Sequence, residues 1–135
     1  MTSTWTPIIT EGPIYKFQRD YLHHSAAARV GDLLICSGVI GMVNKQVPAD
    51  PAEQFDQAFQ NLRDLLIGCG RSLADVAELL TFHVDSSKHM QTFVSVKDRY
   101  FTAAPYPAWT AIGCSDISFG ALVEIRAQAS FHEVS

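Results

Sequence analysis

The sequence predicts an α+β fold in which a mixed β-sheet carries two helices packed on one of its faces. Three observations lead to this prediction: two helical segments with clear start and stop signals, several strand-like apolar runs around them, and a last run that alternates between apolar and polar residues. A chain of 135 residues is long enough to bury one core but not two. We therefore treat residues 1–135 as a single domain.

The first helix is predicted to begin at Asp50. Asp50 is a favourable N-cap residue, Pro51 fits the first helical position, and Glu53 can complete a reciprocal cap. Apolar residues then recur at three- and four-residue spacing, so that they form one stripe facing a flat surface. Gly68 and Gly70 end the helix. The stripe consists of Phe55, Ala58, Phe59, Leu62, Leu65 and Leu66.

A second helix is predicted after Asp85, because Ser86 favours a helix start, and it must end before Pro105. Runs rich in apolar and β-branched residues surround the two helices and predict strands. Gly31 and Asp32 lie between the first two runs and predict the turn of a hairpin. The predicted strands cover residues 26–30, 33–37, 76–84, 108–113 and 122–131.

The last predicted strand alternates, so its two faces differ in chemistry. Val123, Ile125, Ala127, Ala129 and Phe131 point one way, and Leu122, Glu124, Arg126, Gln128 and Ser130 point the other. Helices on one face leave the second, half-polar face uncovered. The composition, with 47% hydrophobic and 18% charged residues, also exceeds what a small monomer needs to bury. Both observations favour a homo-oligomer.

The charge and hydropathy pattern exclude several classes of partner. A net charge of −4 and the absence of a basic stripe disfavour nucleic acid. The apolar runs are too short to span a membrane, and the N-terminus lacks the basic and apolar regions of an export signal. Cys36, Cys69 and Cys114 are odd in number and widely spaced, which is typical of reduced thiols. We therefore predict a cytoplasmic protein.

The sequence predicts neither a metal site nor a cofactor. The five histidines do not repeat at ligand spacing, and no glycine-rich phosphate or dinucleotide motif follows a predicted strand. What remains is the aromatic segment Pro105–Thr110 and the carboxylate of Glu124, which we place on the neighbouring strand. Glu124 is a candidate general base, although a glutamate on a strand is as often solvated or paired, here with Arg126.

An ordered series of landmarks resembles the RidA (YjgF) family, and the resemblance covers most of the chain. It implies a chorismate mutase-like fold, a homotrimer with a central barrel, and pockets between subunits. It also implies hydrolysis of reactive enamines and imines without metal or cofactor. The landmarks are Ser25-Ala26-Ala27, Gly31-Asp32-Leu33-Leu34, Cys36-Ser37-Gly38, Asn61-Leu62, Pro107-Ala108-Trp109-Thr110 and Val123-Glu124-Ile125.

The resemblance assigns roles to individual residues. Glu124 matches the family's catalytic glutamate, and Ser37 and Gly38 match its serine–glycine strand end. Trp109 stands where the family has an arginine that binds the substrate carboxylate, and His24 stands where a tyrosine is common. A tryptophan has one N–H donor and no charge, so the bidentate clamp is missing from this position.

The string around Trp109 is most similar to a YjgH-type branch of the family, which shares the tryptophan. We expect Tyr106 and Cys114 to line the same inter-subunit pocket, and the Trp109 ring to form an apolar wall beside Glu124. Two functions then stay open. One is a divergent enamine or imine deaminase whose substrate needs no carboxylate clamp, with only weak activity on 2-imino acids. The other is a non-catalytic trimer that binds a metabolite or protects unfolded chains.

Overall fold

The computed structural model describes residues 4–8 and 13–132. In this part of the chain, six strands form one sheet in the order β1-β2-β3-β6-β4-β5, and only the β4–β5 pair is parallel. The strands are β1 (Thr6–Ile8), β2 (Ala27–Val30), β3 (Leu33–Cys36), β4 (Val76–Val84), β5 (Ala108–Cys114) and β6 (Val123–Ser130). The α-helices are α1 (Pro13–Phe17), α2 (Pro51–Gly68) and α3 (Ser86–Lys97).

Helix α2 begins and packs as its sequence predicts. The side chain of Asp50 accepts a hydrogen bond of 3.0 Å from the backbone N–H of Glu53, and Pro51 occupies the first turn. Every residue of the predicted apolar stripe is buried. The stripe joins Phe93 and Val96 of α3 and the inward side chains of β6 in one apolar cluster. The prediction of a mixed sheet with helices packed on one face is confirmed.

Two details of the fold differ from the prediction, and a third agrees with it. Strand β1 and helix α1 lie in the N-terminal segment, where Pro7 and Pro13 interrupt any periodic pattern. Helix α3 ends at Lys97, well before Pro105, and the chain turns before strand β5. The predicted hairpin is present: Val30 pairs with Leu33, and Gly31 adopts a φ of +58° that suits glycine.

The two faces of the sheet have different environments. The covered face packs against the helices, and its side chains on β6 and β4 include Ile125, Leu79 and Thr81, all fully buried. The open face carries Glu124 and Arg126 on β6. Opposite them on β4 lie two apolar residues, Phe82 and Leu80. None of the helices in residues 4–8 and 13–132 is long and apolar enough to cross a membrane.

Helix α2 also fixes the loop that follows β3. The side-chain amide of Asn61 donates hydrogen bonds to the carbonyl oxygens of Ile40 (2.8 Å) and Met42 (2.9 Å). Within this loop, Val39 exchanges two backbone hydrogen bonds with Ile125 of β6, of 2.8 and 2.9 Å. The loop is therefore held at both edges, which places Gly38 against strand β6.

Candidate functional site

The carboxylate of Glu124 lies against the backbone of Gly38 on the open face. A Cβ atom at position 38 would stand 2.8 Å from Cδ of Glu124 and 2.9 Å from its Cγ and Oε1. Real Cβ atoms essentially never approach other atoms so closely, so any larger residue at position 38 would displace the Glu124 side chain from its present position. The structure therefore brings together Gly38 and Glu124, two residues that the sequence analysis assigned to one site.

Glu124 and Arg126 do not form an ion pair. They lie two residues apart on one face of β6, and both are half-buried. Their side-chain nitrogen and oxygen atoms are not within 4.0 Å, and neither side chain hydrogen-bonds to any residue in the described ranges. The alternative interpretation of Glu124 as an arginine-paired strand residue is therefore wrong. Two unpartnered charges of opposite sign lie side by side on the open face.

Arg126, but not Glu124, lines a cleft of about 480 Å³. Ser37 anchors its wall, because its hydroxyl donates a 2.6 Å hydrogen bond to the carbonyl oxygen of Ser25. The ring Nδ1 of His24 lies 3.2 Å from the same carbonyl oxygen, which suits a tautomer with the proton on Nδ1. The cleft is lined by Trp5, His23, His24, Ser25, Ala27, Ala28, Ile35, Cys36, Ser37 and Arg126. Ser37 and His24 thus line the same cleft, and their role in binding a ligand stays a prediction.

Trp109 lies on the other side of the sheet, which corrects the predicted arrangement. Strand β4 separates β5 from β6, so the strands of Trp109 and Glu124 are not neighbours. Trp109 pairs with Leu79, whose side chain is buried under the helices, whereas Glu124 pairs with Phe82 on the open face. Within one chain, the Trp109 ring cannot form a wall beside the Glu124 carboxylate.

The indole of Trp109 instead completes a buried polar network. Its Nε1–H donates a 2.8 Å hydrogen bond to Oγ1 of Thr81, which lies 2.7 Å from Nε2 of His83. The ring also lies 6.0 Å from that of Phe93, centroid to centroid, and Nζ of Lys97 lies 4.8 Å from the centroid of the indole. The sequence analysis missed Thr81 and His83, whose only signal was their alternation within a strand-like run.

Tyr106 and Cys114 also lie apart from Glu124. Tyr106 is 65% exposed and borders a separate depression with Lys97 and Phe101 at the end of α3. Cys114 ends strand β5, on the edge of the sheet and two strands away from β6. Within one chain these residues do not share a pocket with Glu124, so their predicted place in an inter-subunit pocket stays a prediction.

The buried thiols are unsuited to nucleophilic chemistry near neutral pH. Burial, and to a smaller extent the neighbouring Cys69, raises the pKa of Cys36 to about 12. Burial likewise raises the pKa of Cys69 above its ordinary value. The positive charge of Arg126 acts on Cys36 in the opposite sense, because it favours the thiolate. These thiols are core residues, as the sequence analysis proposed.

Arg126 is the functional candidate that the sequence analysis undervalued. The alternation of the last strand already placed its side chain on the same face as Glu124, but it was considered only as a structural partner for that carboxylate. Across residues 4–8 and 13–132, no group of three or more His, Cys, Asp or Glu side chains is arranged to hold a metal ion.

Comparison with known proteins identifies the family. The RutC family protein YjgH of Escherichia coli K12 is 38% identical over 91 residues, which cover 67% of this chain and 70% of that protein. A protein of Dermatophagoides farinae named 2-iminobutanoate/2-iminopropanoate deaminase is 28% identical over 108 residues, 76% of this chain and 81% of the relative. These matches confirm the expected resemblance to the YjgH-type branch.

The fold is similar as well. The solved structure of protein YjgH aligns with a TM-score of 0.86 at 32% identity, covering 98% of this chain and 100% of that one. Residues 19–131 match the family described as endoribonuclease L-PSP. The chain therefore belongs to the endoribonuclease L-PSP family, the YjgF/RidA family.

Proposed function

We propose that this protein is a cofactor-independent hydrolase of small imines or enamines, with Glu124 as its general base. The observation that carries the proposal is the Glu124 carboxylate, which lies against Gly38 on the open face and has no partner among the described residues. Arg126, two residues further along β6, lines a cleft on the same face. Family membership supports it, since one relative is named as a 2-iminobutanoate/2-iminopropanoate deaminase. The acidic net charge disfavours the ribonuclease activity that the family's description suggests.

The reaction needs little more than a positioned carboxylate. Water attacks the imine carbon while Glu124 accepts one of its protons, so that the C–O bond forms and the C=N double bond becomes a single bond. The protonated glutamate then returns this proton to the nitrogen. Glu124 next carries the hydroxyl proton of the resulting carbinolamine to the amino nitrogen, the C–N bond breaks, and ammonia leaves as the carbonyl forms. Imine and water thus give ketone and ammonia, with no oxidant or metal required.

We further propose that the working form is a homotrimer with its pockets at the subunit boundaries. The open face exposes large apolar side chains, including Val30, Leu33 and Ile112. An uncovered sheet face with such side chains favours association with further copies. A stacking role for Trp109 stays a prediction, because it requires a neighbouring copy to bring that residue to Glu124.

Two measurements test this function. Light scattering at micromolar concentration is expected to give three times the chain mass of 14.9 kDa. Freshly generated imines, with and without a carboxylate, are incubated with the protein, and semicarbazide traps whatever imine survives. A hydrolase lowers the yield of semicarbazone for at least one class. A protein that is inert across the whole panel would instead favour a metabolite-binding or protective trimer.

A further inference from the structure

Among the described residues that line the cleft on the open face, Arg126 supplies the only fixed charge, and that charge is positive. Of the ten described residues that line it, Arg126 alone is ionised regardless of pH, and none is an aspartate or glutamate. A basic cleft is unusual on a chain whose net charge is −4. A small anion entering here would meet no carboxylate among these lining residues.

The guanidinium of Arg126 is also partly desolvated and unpartnered. The side chain is half-buried, yet it makes no hydrogen bond or ion pair within the described ranges. Structural arginines at such depth are usually paired with a carboxylate or a carbonyl oxygen. An alternative is that only its aliphatic stem matters, covering apolar surface while the head stays in water. The nearby polar groups of Ser37 and His24 argue against a purely apolar role.

We propose that Arg126 anchors the carboxylate of a small ligand in this cleft, in place of the charge that Trp109 cannot supply. A guanidinium binds a carboxylate through two parallel hydrogen bonds, which is the geometry that the tryptophan lacks. Ser37 and His24 form the polar wall beside the anchor. The expectation of weak activity on 2-imino acids rests on the missing clamp at position 109. The sequence leaves open whether an arginine on another strand replaces that clamp, and Arg126 is that arginine in this proposal.

The spacing of Arg126 and Glu124 suits this role. Residues two apart on one strand lie about 6.6 Å from each other between Cα atoms. In a 2-imino acid, the carboxylate carbon is bonded directly to the imine carbon, so the anchor and the base must be near neighbours. Arg126 and Glu124 are such neighbours on one face, whereas position 109 lies two strands away on the other face.

The test is a binding titration that does not depend on turnover. Propionate is added to the ¹⁵N-labelled protein, and the amide resonances of Ser37 and Gly38 are followed by NMR. Propionamide, which has the same shape without the charge, is the matched ligand. We expect saturable shifts with propionate and none with propionamide at equal concentration. Arg126→Gln should weaken propionate binding by about tenfold or more, equivalent to about 1.4 kcal/mol, and Arg126→Lys by less.

Arg99→Gln is the matched control, because Arg99 is an exposed arginine beyond α3. It should bind propionate like the wild type. Equal affinity in Arg126→Gln and wild type, equal shifts from both ligands, or no binding of propionate to the folded wild type would each overturn the proposal. If Arg126→Gln misfolds, its amide resonances lose their dispersion. The propionate affinity of Arg126→Lys then tests the proposal instead.

The proposed role of Arg126 rests on the proposed function, but the experiments can reject either one without rejecting the other. If propionate binds through Arg126 and no imine is hydrolysed, the anchor stands and the hydrolase does not. If 2-imino acids are hydrolysed and Arg126→Gln leaves both KM and propionate affinity unchanged, the hydrolase stands and the anchor is wrong.

Discussion

Two groups of polar side chains, one on each face of the sheet, differ in whether their members have hydrogen-bond partners. On the covered face, Trp109, Thr81 and His83 are linked to one another by hydrogen bonds beneath helix α3. On the open face, Glu124 and Arg126 lie side by side without a partner in the described ranges. Polar groups that satisfy each other rigidify a fold, whereas unpaired charges beside a cleft can act on a ligand.

The strand order explains how two candidate residues became separated. Strand β4 is followed by helix α3, and the chain then returns as the parallel strand β5 at the edge of the sheet. Strand β6 pairs on the other side of β4, so that the register sends Trp109 and Glu124 to opposite faces. The change from arginine to tryptophan thus alters the covered face of this chain, while the open face keeps its carboxylate and carries Arg126.

The largest effect is expected from Glu124→Gln. If Glu124 is the general base, its loss should lower imine hydrolysis by about 10²- to 10⁴-fold, because the amide cannot accept the proton of water. The stability of the variant should change little, since the carboxylate has no partner to lose among the described residues. The matched control is Glu78→Gln, because Glu78 is another half-buried glutamate but accepts a 3.1 Å hydrogen bond from Gln128. Equal activity loss in both variants would contradict a specific role for Glu124.

Phe93→Ala should have the largest effect on the covered face. The side chain is fully buried, and its ring contacts those of Phe55, His83 and Trp109. Removing a buried phenylalanine ring costs about 3–5 kcal/mol. Urea unfolding at fixed protein concentration measures the loss, and Ile67→Ala, at a residue 61% exposed on α2, should cost less than about 0.5 kcal/mol.

The Phe93→Ala variant also tests whether the two faces of the sheet act independently. Because Phe93 lies on the covered face, the folded fraction of Phe93→Ala should keep wild-type hydrolytic activity per molecule at low temperature. A loss of activity that exceeds the loss of folded protein would show that the two faces are coupled.

Trp109→Phe tests the polar network with a smaller change. It keeps an aromatic ring near Phe93 but removes the N–H donor to Thr81, which should cost about 1 kcal/mol. Trp5→Phe is the matched control, because Trp5 is an exposed tryptophan. In a double-mutant cycle with Thr81→Val, the two losses should not add, since both remove the same hydrogen bond. Additive losses would contradict the contact.

Much of the fold could be predicted from local patterns. The cap at Asp50 and the apolar stripe of α2 specify that helix, and the alternation of residues 122–131 specifies which side chains of β6 are buried. Strand β1 could not be predicted, because a three-residue strand that includes Pro7 is too short to show an alternating pattern. It joins the sheet by pairing with β2. Sheet order depends on non-local pairing, which no local pattern encodes.

Only part of the candidate site could be predicted from the sequence. The resemblance supplied Glu124 and Gly38, which the structure places in contact, because both belong to its ordered landmarks. The position of Trp109 relative to Glu124 depended on which strand pairs with β6, and the assumption that β5 does so was wrong. Arg126 could have been identified from strand alternation alone, had it been considered as a ligand-binding residue.

The smallest expected effect concerns the pH dependence of stability through His83. Burial lowers the pKa of this imidazole from its ordinary value of 6.5. The buried Nδ1 has no hydrogen-bond partner within the described residues, so a protonated ring would bury an N–H without an acceptor. The folded protein therefore resists a proton that the unfolded chain accepts.

The sign of the effect follows from this difference. Below pH 6.5 the unfolded chain binds a proton at His83 that the folded protein does not, so the free energy of unfolding falls as the pH decreases towards the lowered pKa. Above pH 6.5 this contribution is fully present. We expect His83→Gln to show a shallower decline between pH 6.5 and 5 than the wild type, measured by urea unfolding at fixed protein concentration. His132→Gln, which removes an exposed imidazole, tests for effects common to any histidine. Parallel curves for wild type and His83→Gln would mean that the covered face accommodates a charge at His83, and the contrast between the two faces would then be wrong.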